Sequence, residues 1–134
     1  MFRCSSYVGR IGGQQRLSLG ARCANVGTVM HELMHAAGFY HEHSRSDRDE
    51  YIDIYKENIR PEKLRQFQKM HPSENRLLTP FDVHSIMMYG SSTFARVEGL
   101  ITMLTKDGGY LRAVRNKRRI SSSDAIRIRK LYNC

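Results

Sequence analysis

Apolar residues recur along this chain in short sets of differing spacing, and each spacing predicts a different element. Tyr7-Val8 and Arg16-Leu17-Ser18-Leu19 read as two short strands, separated by the turn-forming Gly9, Gly12 and Gly13. The spacing then becomes helical. Asn25 is placed to cap the helix, and Val26, Met30, Leu33, Met34 and Ala37 fall on one side as its buried face. Tyr51-Ile52-Asp53-Ile54 alternates as a strand does, and a further helix is predicted with Pro61 near its first turn and Leu64, Phe67 and Met70 along one side. Residues 75–85 are loop-like. Ser121-Ser122-Ser123-Asp124 makes a capping box for a last helix, Ser122–Tyr132, that carries Ile128 and Leu131 inward. No internal repeat, low-complexity tract or linker interrupts the pattern, so residues 1–134 read as one small α+β unit.

The predicted helix after Asn25 also carries chemistry. His31 and His35 are four apart, so their rings project from one face and reach a single ion. Gly38 follows where a helix can stop on a left-handed residue, and the chain can then swing His41 back as a third ligand. Three neutral nitrogens leave the fourth zinc position to water, which is the arrangement of a catalytic rather than a structural site. Glu32, beside the first ligand, can take a proton from that water and hand it to a departing amine. A lone His-Glu-x-x-His also occurs in unrelated chains. Gly38 and His41 each lower the odds of coincidence by roughly tenfold or more.

Composition bounds the picture. The 134 residues, 40% of them hydrophobic, suffice for one domain with a modest core, and no apolar run is long enough to cross a membrane as a helix. The formal net charge of +9 raises nucleic-acid binding. Much of it sits in Arg112, Arg115, Lys117, Arg118, Arg119, Arg127, Arg129 and Lys130, without any recognisable recognition element. A solvated basic surface is the better reading, with attraction to acidic polysaccharide, cell surfaces or acidic substrates as a secondary one. His43, His71 and His84 fit no ligand spacing and read as surface or loop residues. The three cysteines, Cys4, Cys23 and Cys134, leave one thiol unpaired in an oxidising compartment; three free thiols in the cytosol are the alternative.

The run from Gly38 to Asp49, Gly-Phe-Tyr-His-Glu-His-Ser-Arg-Ser-Asp-Arg-Asp, resembles the signature of the astacins, a branch of the metzincin zinc peptidases. Ser85-Ile86-Met87-Met88-Tyr89 resembles that family's Met-turn, although most members have histidine where this chain has Met88. Taken alone, Met87 and Tyr89 would be ordinary core. The resemblance implies instead that Met87 lies beneath the metal. It implies that Tyr89 is an extra zinc ligand in the resting enzyme and then a hydrogen-bond donor to the tetrahedral intermediate. It implies a water-linked contact of Glu42 with the amino terminus of the mature chain. Arg45, Asp47, Arg48 and Asp49, otherwise a solvated loop of paired charges, become a partly buried ion-pair cluster. The segment Cys4-Ser5-Ser6-Tyr7 becomes an edge strand that pairs with substrate backbone.

The same resemblance implies a disulfide between Cys4 and Cys23, and a partner for Cys134 in a missing N-terminal part. An astacin domain has about 200 residues, of which this chain would be roughly the C-terminal two thirds. Met1-Phe2-Arg3-Cys4 is no signal peptide, and a truncated sequence is expected. The implied fold has a cleft between two halves, the zinc helix and small sheet above, the Met-turn and C-terminal helix below, with the first strands absent. The implied function is that of a secreted, monomeric zinc endopeptidase acting on protein or peptide substrates, extracellular matrix among them. Residues 75–82 resemble arthropod members, arachnid venom forms included, so a toxin role belongs to the expectation. The rival readings are an incompetent fragment or non-catalytic secreted binding module, and a basic surface-binding protein with incidental zinc.

Overall fold

The structure, a computed structural model, describes residues 4–134; Met1–Arg3, where the absence of a signal peptide was read, lie outside the described residues. Its regular elements are strands β1 (Cys4–Ser6) and β2 (Leu17–Leu19), helix α1 (Val26–Ala36), strands β3 (Ile52–Ile54) and β4 (Met103–Thr105), and helix α2 (Ser122–Tyr132). β1 pairs antiparallel with β2, and β3 with β4, as two separate ribbons. The α+β class is as expected. The first strand ends earlier than predicted, because Gly9, at φ +76°, turns the chain so that its N–H donates to the His35 carbonyl at 2.9 Å. Tyr7 and Val8 therefore lie outside it.

The predicted helix after Pro61 is instead a seven-residue 3-10 segment, Pro61–Phe67. Its last carbonyls serve tertiary donors: His43 Nε2 bonds the Gln66 oxygen at 2.8 Å, and the Arg48 guanidinium bonds that of Phe67. Those bonds tie the end of the segment to His43 and Arg48, and the Gln68 N–H closes it by donating to the Arg65 carbonyl at 3.3 Å. Leu64 is exposed, whereas Phe67 is buried.

Two apolar clusters meet at residues 85–88. Met34, Ile86 and Met87 form one, with Ile128 of α2 packed against it; Met88 belongs to the other, with Ile52, Ile59, Phe67, Met103 and Leu111. Between the clusters, the turn's backbone is bonded throughout. The Ile86 N–H donates to Asp124 Oδ2 at 2.8 Å, and the Met87 N–H to Ser85 Oγ at 3.0 Å. Lys117 Nζ donates to the carbonyls of Ser85 (2.6 Å) and Met88 (2.8 Å). Asp124 is also the capping-box residue of α2, and its Oδ1 accepts from Ser85 Oγ at 2.6 Å. Lys117 and Arg127, expected on a solvated basic surface, are both only 6% exposed. Their ammonium and guanidinium are consumed by internal acceptors.

The segment 113–117 is held between two glycines. A Cβ on Gly27 of α1 would lie 2.0 Å from the Val114 carbonyl oxygen and 2.7 Å from that of Lys117; one on Gly90 would lie 2.7 Å from the Ala113 Cα. Alanine is otherwise favoured over glycine in a helix by about 1 kcal/mol. Here Gly27→Ala should instead destabilise by about 1–3 kcal/mol, since backbone must give way. Thermal unfolding should show a lower Tm; a Tm at or above that of the unsubstituted chain would mean that α1 does not rest on residues 114–117.

Burial lowers the Lys117 pKa from 10.5 to about 8. Between these values the unfolded chain holds a proton that the folded chain has released, so stability rises with pH across that window. Relative to Lys117→Met, the unsubstituted chain should therefore gain up to about 3 kcal/mol from about pH 8 to 10.5. A flat difference in chemical-denaturation free energies would show that the buried ammonium is not disfavoured.

Candidate metal centre and its cleft

Helix α1 begins where the sequence places its cap, Asn25 Oδ1 accepting from the Thr28 N–H at 2.9 Å. It ends in the arrangement that favours glycine. Gly38 has φ +103° and donates to the His35 carbonyl (2.8 Å), while the Phe39 N–H reaches back to Met34 (3.0 Å). The buried face is only in part the one the apolar spacing suggested: Met34 is buried and Met30 packs against its cluster. Gly27, His31, Met34 and His35 point inward with Glu32, while Val26 and Leu33 are 51% and 54% exposed, because the helix turns its histidines rather than its aliphatics toward the cleft.

The turn at Gly38 carries His41 back to the helix. His41 Nε2 lies 3.2 Å from His31 Nε2 and 3.1 Å from His35 Nε2. The other nitrogens of the helical pair face carbonyl oxygens, His31 Nδ1 at 2.9 Å from Ile86 and His35 Nδ1 at 2.8 Å from Phe39. A carbonyl only accepts, so both Nδ1 atoms carry the proton and both facing Nε2 atoms are bare lone pairs. His41 can give a proton to one of them at most. A cation satisfies all three. With Zn–N distances of about 2.0–2.1 Å, tetrahedral ligands stand about 3.3 Å apart, close to the observed separations. Burial lowers His31 to about 4, lowers His35, and puts His41 well below the usual range, so the rings are neutral as a metal requires. The three histidines fit zinc.

Other expected site residues surround this point. Glu32 is 5% exposed, burial raises its pKa, and its Oε2 has no hydrogen-bond partner among the described residues. Glu32, Tyr89, Ser5 and Ser6 line one cleft of about 770 Å³ together with the histidines. Tyr7 does not line it and is 56% exposed. The Tyr89 ring lies 4.5 Å from that of His41, and burial, then Glu32, raises its pKa, so the phenol keeps its proton. Met87 is buried below with Met34 and Ile86. Cys4 and Cys23 form the disulfide, and Cys134 is free and exposed.

Glu42, the residue after the third ligand, occupies a buried charge cluster. Arg127 grips it with Nη1 and Nη2 at 2.6 Å each, Arg45 Nη1 adds a contact at 3.1 Å and the Asp82 N–H another at 2.9 Å. Burial pushes its carboxyl up against the downward pull of these partners. Thus four donors from this chain's own residues take the carboxylate expected to meet an amino terminus. Arg45 and Arg48 are buried, Asp47 is half-buried and Asp49 exposed, so the ion pairs are partly buried as expected. His43, expected at the surface or in a loop, is fully buried between Tyr89 and Phe67. Sequence spacing missed His43, Lys117 and Arg127, and gave Asp124 only its capping role; no local signal distinguishes the two cations from their solvated neighbours.

Comparison with known proteins agrees with this geometry. The model of the astacin peptidase family matches residues 2–133. Zinc metalloproteinase nas-14 of Caenorhabditis elegans is 44% identical over 99% of this chain and 26% of its own length. Astacin-like metalloprotease toxin 1 of Loxosceles intermedia is 43% identical, with 98% and 52% covered; human tolloid-like protein 1 is 45% identical, with 98% and 13% covered. The chain thus spans about half or less of these relatives. Among solved structures, high choriolytic enzyme 1, a hatching-enzyme zinc protease of the medaka fish Oryzias latipes, superposes with a TM-score of 0.88 at 42% identity, covering 98% of this chain and 65% of the other. Three converging imidazole nitrogens on a helix and its return loop, set on a methionine-bearing turn, accompany this match along nearly the whole chain, and the chain belongs to the astacin family.

Proposed function

We propose that residues 1–134 are part of the catalytic domain of a secreted zinc endopeptidase, in which His31, His35 and His41 hold the metal and Tyr89 is an additional ligand in the resting state. The observation that carries this reading is the convergence of three Nε2 atoms beside a buried carboxylate in one cleft. Zinc bound there supplies Lewis acidity toward water and the scissile carbonyl. Glu32 accepts the proton of the attacking water and delivers it to the leaving amine, a task suited to a carboxyl whose proton affinity burial raises. The Tyr89 phenol, kept protonated, donates a hydrogen bond to the developing oxyanion. β1 has β2 as its sheet partner on one side, and Ser5 and Ser6 face the cleft, so an extended substrate can add as a further strand. The Cys4–Cys23 disulfide supports an oxidising, extracellular setting. Extracellular matrix proteins and venom targets are candidate substrates, and a monomer is the proposed working form.

Zinc content and chelator-sensitive cleavage of gelatin or casein test the reading directly. Glu32→Ala should lower turnover by about a thousandfold while one zinc per chain remains; loss of zinc in that variant would remove Glu32 from the base role. Tyr89→Phe should cost less, about tenfold to a hundredfold in kcat, and unchanged turnover would remove Tyr89 from the mechanism. Zinc bound without cleavage by the unsubstituted chain would favour a non-catalytic binding module.

A further inference from the structure

His43 is fully buried, yet an apolar ring would fill its place without leaving a polar atom unmatched on the side chain. Its Nε2 donates to the Gln66 carbonyl at 2.8 Å, and its Nδ1 has no partner among the described residues. The ring is fixed from behind by Phe67, whose centroid is 5.5 Å away. Its other contacts are the two groups that border the metal centre. It stacks on Tyr89 at 4.0 Å with 30° between planes, and on His41 at 5.2 Å with 20° between planes. Phe94, held at φ +59°, closes the Tyr89 ring edge-on at 5.6 Å.

We propose that His43 is a positioning residue for Tyr89: its imidazole, pinned to Gln66, is a flat spacer that sets the phenol ring relative to His41. This rests on the role given to Tyr89 above. The rings of His41, His43 and Tyr89 lie within 5.2 Å of one another pairwise, with Tyr89 in contact with both imidazoles, so displacement of His43 changes the placement of the phenol against His41. Aromatic stacking favours a narrow range of plane and offset, which an aliphatic side chain of similar bulk does not impose. The Gln66 bond adds the orientation, because it ties the ring to the Pro61–Phe67 segment, itself held by Arg48.

The test is a double-mutant cycle between His43 and Tyr89 in the zinc-loaded chain. His43→Leu keeps bulk and loses the flat face; His43→Asn, used if the leucine variant fails to fold, keeps a donor for Gln66 and loses the ring. Either should lower kcat on casein by about tenfold with KM within about twofold, whereas His43→Phe, which keeps the flat face but loses the Gln66 bond, should fall between these variants and the unsubstituted chain. In the Tyr89→Phe background the leucine or asparagine change should cost less than about twofold. Equal losses in both backgrounds would overturn the proposal and leave His43 a packing residue. Zinc affinity, measured by competition with a chelator, gives the same cycle without turnover, His43→Leu weakening zinc only when Tyr89 is present. Should the unsubstituted chain fail to cleave, the peptidase reading falls, and the affinity cycle alone decides for or against the spacer.

Discussion

The backbone of residues 85–88 is the constraint on which the site depends. Each of its carbonyls is spoken for: Ser85 and Met88 by Lys117, Ile86 by His31, and Met87 by the Glu42 N–H at 3.0 Å. A buried peptide group without a partner costs about 1–3 kcal/mol, so the turn has one satisfied arrangement, and it dictates where two ligands sit. His31 is oriented by the Ile86 carbonyl, and His41 by the bond one residue on. Asp124 extends the constraint to α2, since one carboxylate caps the helix and holds Ser85 and Ile86. The placement of His31 and His41 is therefore set by peptide groups of this turn.

Charge is buried on both sides of this turn for different ends. Lys117 and Asp124 neutralise peptide dipoles, whereas Arg127, Arg45 and Glu42 bind the C-terminal helix to the return loop through one carboxylate. Burying such ions is costly unless every donor and acceptor is matched, and an unmatched partner costs about 3–5 kcal/mol. The cluster leaves little freedom for the loop that presents His41. The same burial keeps the three imidazoles unprotonated, so the low-dielectric setting prepares the ligands and fixes their loop together.

What sequence reading recovered was local. His31, His35, Gly38 and His41 lie within one helix and its exit, so the 3.6-residue period and a glycine suffice to place them. The Asn25 cap and the Ser121–Asp124 box are local in the same way, and both formed. What it lost was set by distant partners. Arg127 meets Glu42 across 85 positions, and Lys117 meets Ser85 across 32, so a basic run gave no hint of which cations turn inward. His43 and the segment after Pro61 meet in one long-range contact: the imidazole donates to a carbonyl 23 residues on, in the stretch that forms a 3-10 run rather than the predicted α-helix. Val26 and Leu33 misled because hydrophobicity outvoted the histidines in choosing the inner face of α1.

The two glycines that grip residues 113–117 have an evolutionary corollary. Gly27 and Gly90 fix that strip through its main chain, while Ala113, Val114 and Arg115 present side chains to the cleft. Main-chain anchorage is indifferent to side-chain identity, so Arg115 can change without moving the wall it stands on, whereas Val114 also packs against Met34, Ile86 and Met87 and Ala113 lies against Gly90. The cleft lining can thus vary at that one position while the three histidines and the turn that supports them keep their places.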